Sequence, residues 1–410
     1  MAADTTAPTA TSVHDLDLPL VPMNDGTRPQ EDVYTEVLGI AEDHWLGRTE
    51  IGFAVFRYDD VIAVLRDKRW YSLLARLNEL RGIDDEQGRS ILTVEGDEHT
   101  RLRRLVAKAF TPRAADQLRP FMRAVMDEQV DRVVAEGRAD AVDDLCKHYP
   151  IPIICELLGA PREDLEDFSR WADEILSIFD DDAAERYDQI VAAREELTAY
   201  VLDLIAARRG DPRDDLLSSL IAAEEEGDRL SNDELVTMVG AVIMAGTDTT
   251  RNQLGCALAM LARRPDQWQR LADDPECAPG AVEELMRFAG AVRGTGRFAS
   301  EDIVYRDVLF PEGTVMNVAL AIANRDAAVF DDPDVLDITK AIAGQPQLTF
   351  GSGIHYCLGA ALARAELQEA LPLLARRLPN MRLDGDVVWK PPTVGIFGPE
   401  SIPIRFDPGH

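Results

Sequence analysis

Cys357 stands in the stretch TFGSGIHYCLGAALAR (349–364), between a glycine-bearing approach and a run of helix formers. A cysteine so placed has four readings: ordinary core, half of a disulfide, a metal ligand or a nucleophile. The last two need the thiolate, which is stabilised by positive charge, backbone N–H groups or a helix amino terminus. The next segment, LGAALARAELQEALPLLARRL, predicts a helix from Leu358 to Leu378, so the amides of Leu358, Gly359 and Ala360 are expected to point at the sulfur. Gly351 and Gly353 permit a tight turn, and Gly359 removes a side chain beside the sulfur, where a flat cofactor would press on the helix. Zinc would need more ligands, and a nucleophile would need a base. His355 is close in sequence, but residues two apart in a turn seldom align as a catalytic pair. Haem iron needs only one proximal protein ligand, and a thiolate in that position favours O–O cleavage. Its two propionates demand cationic partners.

A second polar group lies where none is expected. SNDELVTMVGAVIMAGTDTTRNQLGCALAMLARRP predicts one long helix, Asn232 to Arg263, opened by a Ser231/Glu234 capping box and stopped by Pro265. At about 1.5 Å per residue it is roughly 48 Å long. Its first half is apolar on nearly every face, yet Thr247, Asp248, Thr249 and Thr250 follow Ala245-Gly246 in its middle. Hydroxyls there can bond the carbonyl one turn back, and small residues admit a close neighbour. A polar patch satisfied by nearby loops is the plainer alternative. Glu284 and Arg287, three apart, would by themselves be a solvated pair, and His99 with Arg103 and Arg104 a wet helix face.

The elements that must position these residues are mostly helical. Apolar spacing predicts helices near 98–110, 114–136, 141–158, 162–178, 184–209 and 213–225, with PGAVEELMRFAG later. Alternation predicts a minor antiparallel β region near 43–58 and 295–320, around the Pro311-Glu312-Gly313 turn. No Ser/Gly/Pro-rich linker interrupts the chain, so a disordered amino terminus (1–15) and a single catalytic domain (16–410) are expected.

Composition narrows the function. With 43 Lys+Arg against 74 Asp+Glu, a net charge of -31 argues against nucleic acid or anionic lipid as partner. No basic region followed by an apolar stretch opens the chain and no apolar segment is long enough to span a bilayer, which predicts a cytoplasmic, unanchored protein. Five scattered cysteines without a Cys-x-x-Cys pair argue against a disulfide scaffold or a zinc cage.

In that setting FGSGIHYCLG resembles the haem-binding signature of the cytochrome P-450 family, Phe-x-x-Gly-x-x-x-Cys-x-Gly, with Phe350, Gly353, Cys357 and Gly359 in register. AGTDTT (245–250) is similar to the family's central-helix motif, EELMR to its Glu-x-x-Arg helix and HTRLRR (99–104) to its propionate-binding helix. The resemblance covers about residues 30–408 and implies the cytochrome P-450 fold, with haem b (iron protoporphyrin IX) between the central helix and the Cys-loop helix. It implies Cys357 as iron ligand with Phe350 beside the sulfur, and His99, Arg103, Arg297 and His355 as propionate partners. Glu284 and Arg287 become a buried structural pair extended by Arg325. Asp248 and Thr249 manage protons on the oxygen-binding side.

The resemblance implies a bacterial haem-thiolate monooxygenase, inserting one atom of dioxygen into a small, largely apolar substrate by hydroxylation or epoxidation. Electrons come from NAD(P)H through a ferredoxin and ferredoxin reductase, and the protein acts as a monomer. Arg101, Arg104, Lys108, Arg113 and Arg364 could offer that carrier a basic patch; scattered solvated charge is nearly as good a reading. Two alternatives keep the fold: an enzyme using peroxide directly, or a non-catalytic haem-thiolate ligand sensor. The walls of the substrate pocket are expected from segments near 71–94 and 170–195 and from Ala241, Ala245, Val292, Arg293, Ile396 and Phe397. The chain departs from the family at EGDEH before His99 and at FAGAVRGTGR, where Arg293 could face substrate, a propionate or solvent.

Overall fold

A computed structural model describes residues 10–408 other than 24, 26–27, 29, 81–89, 108–109, 178–184, 226–227, 341–343 and 391–395. The central helix runs Asn232–Leu261, and its capping box is present: Ser231 Oγ accepts from Glu234 N, and Glu234 returns to Ser231 N. Around it pack the helices Pro150–Leu158, Leu165–Leu176 and Tyr187–Gly210. The Cys-loop helix, Ala360–Arg377, packs on Pro112–Val133, Pro265–Asp273 and Ala278–Phe288. It starts two residues later than expected, with Gly359 as N-cap, so Cys357 belongs to the approach loop. The helix expected over 141–158 is two elements, a short π-helical turn (Ala141–Cys146) and the helix opened by Pro150. Proline at a first helical position lacks only an N–H that would have no partner there.

The main sheet has five strands in the order Leu46–Thr49, Gly52–Val55, Val315–Val318, Thr295–Ala299, Trp70–Ser72. Its pairings are antiparallel except where Gly52–Val55 runs parallel to Val315–Val318, joining the early hairpin to the late strands. The period of two sorts residues to opposite faces: Phe53 and Val55 enter one apolar cluster, while Ala54 and Phe56 enter another with Val33 and Val37. Both faces of this strand are therefore covered.

Thr11–Ser12 pairs in parallel with Val308–Leu309, and Val13 is fully buried. This corrects the expected disorder over 1–15 for residues 11–15; residues 1–9 lie outside the described residues. No described helix is long and apolar enough to cross a membrane.

Candidate active site

A cavity separates the central helix from the Cys loop. Its lining includes Ala241, Ala245, Gly246 and Thr249 on one side and Phe350, Cys357, Gly359 and Leu362 on the other. His99, Arg103, Arg297 and His355, drawn from three distant stretches of chain, line the same cavity.

The Cys loop is closed by a backbone bond from Cys357 N to Phe350 O, 2.9 Å. Gly353 has φ +73°, and a Cβ on it would collide with the Leu65 carbonyl, so the turn requires glycine twice over. A Cβ on Gly359 would meet nothing within 4 Å; that side of the loop is open toward the cavity. Burial pushes the Cys357 thiol pKa up, while the Gly359 N–H and the charges of Arg103 and Arg364 favour the thiolate. Of the three amides expected at the sulfur, that of Gly359 acts to lower its pKa. Arg364 lies over the Phe350 ring, 4.4 Å from its centroid.

His99 comes from the helix Gly96–Val106 and is 1% exposed, and its Nε2 has no hydrogen-bond partner. Burial first, then the neighbouring His355, lowers its pKa to about 4, so its ring is neutral near pH 7. The two imidazoles lie 4.3 Å apart. Arg103 faces the cavity without a carboxylate among the described residues, and burial lowers its pKa. Arg297 donates to Thr295 Oγ1 (3.0 Å) and Gly296 O (2.9 Å) through one nitrogen only, leaving donors unused. His355 Nε2 is bonded to both carboxylate oxygens of Glu95, at 2.9 and 3.0 Å. Burial works against the Glu95 carboxylate, but bonds from His355 and the Ser72 N–H hold its pKa below the ordinary range. Glu95, in the divergent EGDEH approach, had no functional reading in the sequence.

On the central helix Thr247 donates to Ile243 O (2.6 Å) and Thr249 to Ala245 O, the expected bonds to the preceding turn. Gly246 is pressed on Ile154, so a neighbouring helix as well as the cavity needs its lack of a side chain. Asp248 points elsewhere: it pairs with Arg251 (2.6 Å), accepts from Asn252 Nδ2 (2.8 Å) and has Lys390 at 3.6 Å, and it does not line the cavity. Thr250 instead meets Glu366, its Oγ1 lying 3.1 Å from Glu366 Oε2. Glu366 is 1% exposed and lines the cavity, and its Oε1 has no partner. Burial raises its pKa to about 8, so it is mainly protonated at neutral pH. One signal could have found it, since Glu366 sits at helical spacing among Leu362, Ala370 and Leu374, all core residues.

Glu284 and Arg287 are 2% and 4% exposed and form a bidentate pair at 2.8 and 2.9 Å. Arg287 also donates to the carbonyls of Asn324, Pro333 and Val335. Arg325 does not extend this pair: it bonds Asp334 (2.8 Å) and Phe288 O (2.9 Å) and stacks on Phe288. The extension comes from backbone, because a buried guanidinium can use carbonyls as acceptors where no second carboxylate is present.

Ala241, Ala245 and Val292, expected at the substrate pocket, line this cavity together with Leu74, Ile91, Leu92, Met238, Ala291 and Leu320. Among the described residues Arg293, Ile396 and Phe397 do not, nor does any residue of 170–195. Arg293 is stacked between Phe397 (3.3 Å) and Tyr34 (4.9 Å), because aromatic faces can satisfy a cation withdrawn from water. Phe397 is held by this stack and by Trp389 on its other side, 4.9 Å away. The anticipated basic patch is partly consumed, Arg101 pairing with Glu234 and Arg364 with Glu283. Lys108 lies outside the described residues.

The family model described as cytochrome P450 matches residues 43–275 and 277–382. The chain belongs to the cytochrome P450 family. It is 39% identical over 363 residues to mycinamicin IV hydroxylase/epoxidase of Micromonospora griseorubida, covering 87% of this chain and 89% of that protein. It is 37% identical to cytochrome P450 107B1 of Saccharopolyspora erythraea, over 86% of this chain and 88% of that one. Among solved structures, cytochrome P450 CYP109Q5 from Chondromyces apiculatus has a TM-score of 0.85 at 32% identity, covering 94% of this chain and 98% of that one. As a P450 it is a haem-thiolate monooxygenase, hydroxylating or epoxidising small organic substrates with electrons supplied by a partner. Membership implies haem b as cofactor.

Proposed function

We propose that Cys357 is the proximal thiolate of this P450 and that His99, Arg103, Arg297 and His355 receive the two propionates. The observation that carries the reading is the convergence of these five residues on one cavity, with donors left unmatched there: His99 Nε2, the Arg103 guanidinium and part of Arg297. A flat group bearing two carboxylates fits that donor set, and the open side of Gly359 leaves it room. Haem b bound there would supply dioxygen activation and the transfer of one oxygen atom to substrate.

The chain's own residues then position and protonate. The Thr249 hydroxyl, at the cavity wall, donates to Ala245 O, so it would offer the cavity its oxygen as an acceptor, and its proton once that bond is released. Asp248, on the outer side among Arg251, Asn252 and Lys390, exchanges protons with solvent and passes them inward when its carboxylate turns from those partners. This relay favours dioxygen over direct use of peroxide and over a non-catalytic sensor. The apolar lining, including Leu74, Ile91, Leu92, Met238, Val242 and Val292, suits a largely apolar substrate and excludes water. Electrons reach the site from NAD(P)H through a ferredoxin and its reductase.

The test is Cys357→Ser. The reduced wild-type protein under carbon monoxide should give the thiolate-type absorption band and oxidise substrate with ferredoxin and reductase. The variant should lose both while its far-ultraviolet circular dichroism keeps the helical signal. A retained thiolate band would remove Cys357 from this role.

A further inference from the structure

Between the helix Ala278–Phe288 and the strand Thr295–Ala299 the chain runs without regular structure, yet its Ala291 and Val292 form part of the cavity wall. An irregular segment keeps its place only if its backbone groups are held from outside. Two of them are held by one side chain. Gln253 donates from Nε2 to Ala289 O (3.2 Å) and accepts at Oε1 from Ala291 N (2.9 Å). It is 4% exposed and itself lines the cavity. Gln253 stands four residues after Thr249, one turn along the same face of the central helix.

Further holds come from elsewhere, among them Ala289 N to Leu285 O (2.8 Å). Phe397 N donates to Ala291 O (2.9 Å) and Ala321 N to Arg293 O (2.9 Å). The Arg293 stack between Tyr34 and Phe397 closes the far side. Among the described residues, Gln253 is therefore the hydrogen-bonded tie between this segment's backbone and the helix that carries Thr249.

We propose that Gln253 is a specificity-determining positioning residue: its amide sets the distance of the Ala291–Val292 wall from the Thr249 face of the central helix, and so which apolar shapes fit between them. This rests on the reading of the cavity as the substrate site. No side chain that packs without hydrogen bonding can substitute, because Ala289 O and Ala291 N–H would then pull the segment toward other partners.

The experiment uses the full holoprotein and two nitrogen ligands read by difference spectra. Imidazole is the small reference ligand, whereas the added phenyl ring of 4-phenylimidazole is expected to reach the wall. Gln253→Met, similar in length and flexibility but without the amide, is expected to raise the ratio of the 4-phenylimidazole Kd to the imidazole Kd by about tenfold, with the carbon monoxide band intact. Gln253→Glu, whose protonated carboxyl can make both bonds, should return toward the wild-type ratio at low pH. If the methionine variant loses haem, Gln253→Asn takes its place with the same expected shift, since its amide is one carbon too short to span both groups. An unchanged ratio, or equal weakening of both ligands, would overturn the proposal. If neither ligand perturbs the wild-type spectrum, it is the reading of the cavity that fails.

Discussion

Glu366 illustrates how strongly a single residue's surroundings can reset its chemistry. An acid with an ordinary pKa of 4.5 is held near 8 by burial, with only the Thr250 hydroxyl acting against the shift. The unfolded chain loses this proton near 4.5 and the folded chain near 8, so between those values the unfolded state binds fewer protons and stability falls as pH rises. The slope contributed is at most about 1.4 kcal/mol per pH unit. Glu366→Gln removes it, so the variant should gain on the wild type progressively from pH 5 to 8 in urea denaturation. Parallel stability profiles would show that Glu366 does not carry this proton. At the same scale, Asp248 and Arg293 were readable as residue types able to do chemistry, but not as to direction. Arg251 and Lys390 draw one from the cavity, and two aromatic rings hold the other.

Elements rather than residues carry the Glu284–Arg287 pair. The helix Ala278–Phe288 presents both on one buried side, where Arg287 reaches three carbonyls of the 324–335 segment and Glu284 receives the Asp337 N–H. Removing one partner leaves the other charge buried, so Glu284→Ala should cost about 3–5 kcal/mol. Arg325→Ala should cost less, about 1–2 kcal/mol, because its carboxylate partner Asp334 is 75% exposed. Denaturant titration of both variants checks the order, and equal losses would refute it. The spacing of Glu284 and Arg287 was visible in the sequence; that the extension is backbone and not Arg325 was not. Helix existence was similarly legible from apolar period and capping, as in Asn232–Leu261, whereas the break before Pro150 and the late start of the Cys-loop helix depended on local geometry.

For the molecule as a whole, a net charge of -31 is a self-repulsion that the fold must hold together. Screening relieves it: the Debye length falls to about 10 Å at 0.1 M salt. Raising sodium chloride from about 0.01 to about 0.3 M should therefore raise the midpoint of thermal unfolding at pH 7. A midpoint that falls over this range would mean that the surface ion pairs, such as Arg377 with Asp127 and Asp131, outweigh the repulsion. Such global terms depend on composition, and composition is complete in the sequence. So is any feature set by neighbours along the chain: the Cys357 loop with its glycines, the capping box at Ser231, the alternation that divides Phe53 and Val55 from Ala54 and Phe56. Only the tertiary structure decided that Glu366 meets Thr250, that Glu95 takes His355, and that Gln253 ties the wall at Ala289 and Ala291. Those contacts join residues 36 to 260 positions apart, where hydrogen-bond geometry is set by the packing of whole elements and leaves no periodic trace in the chain.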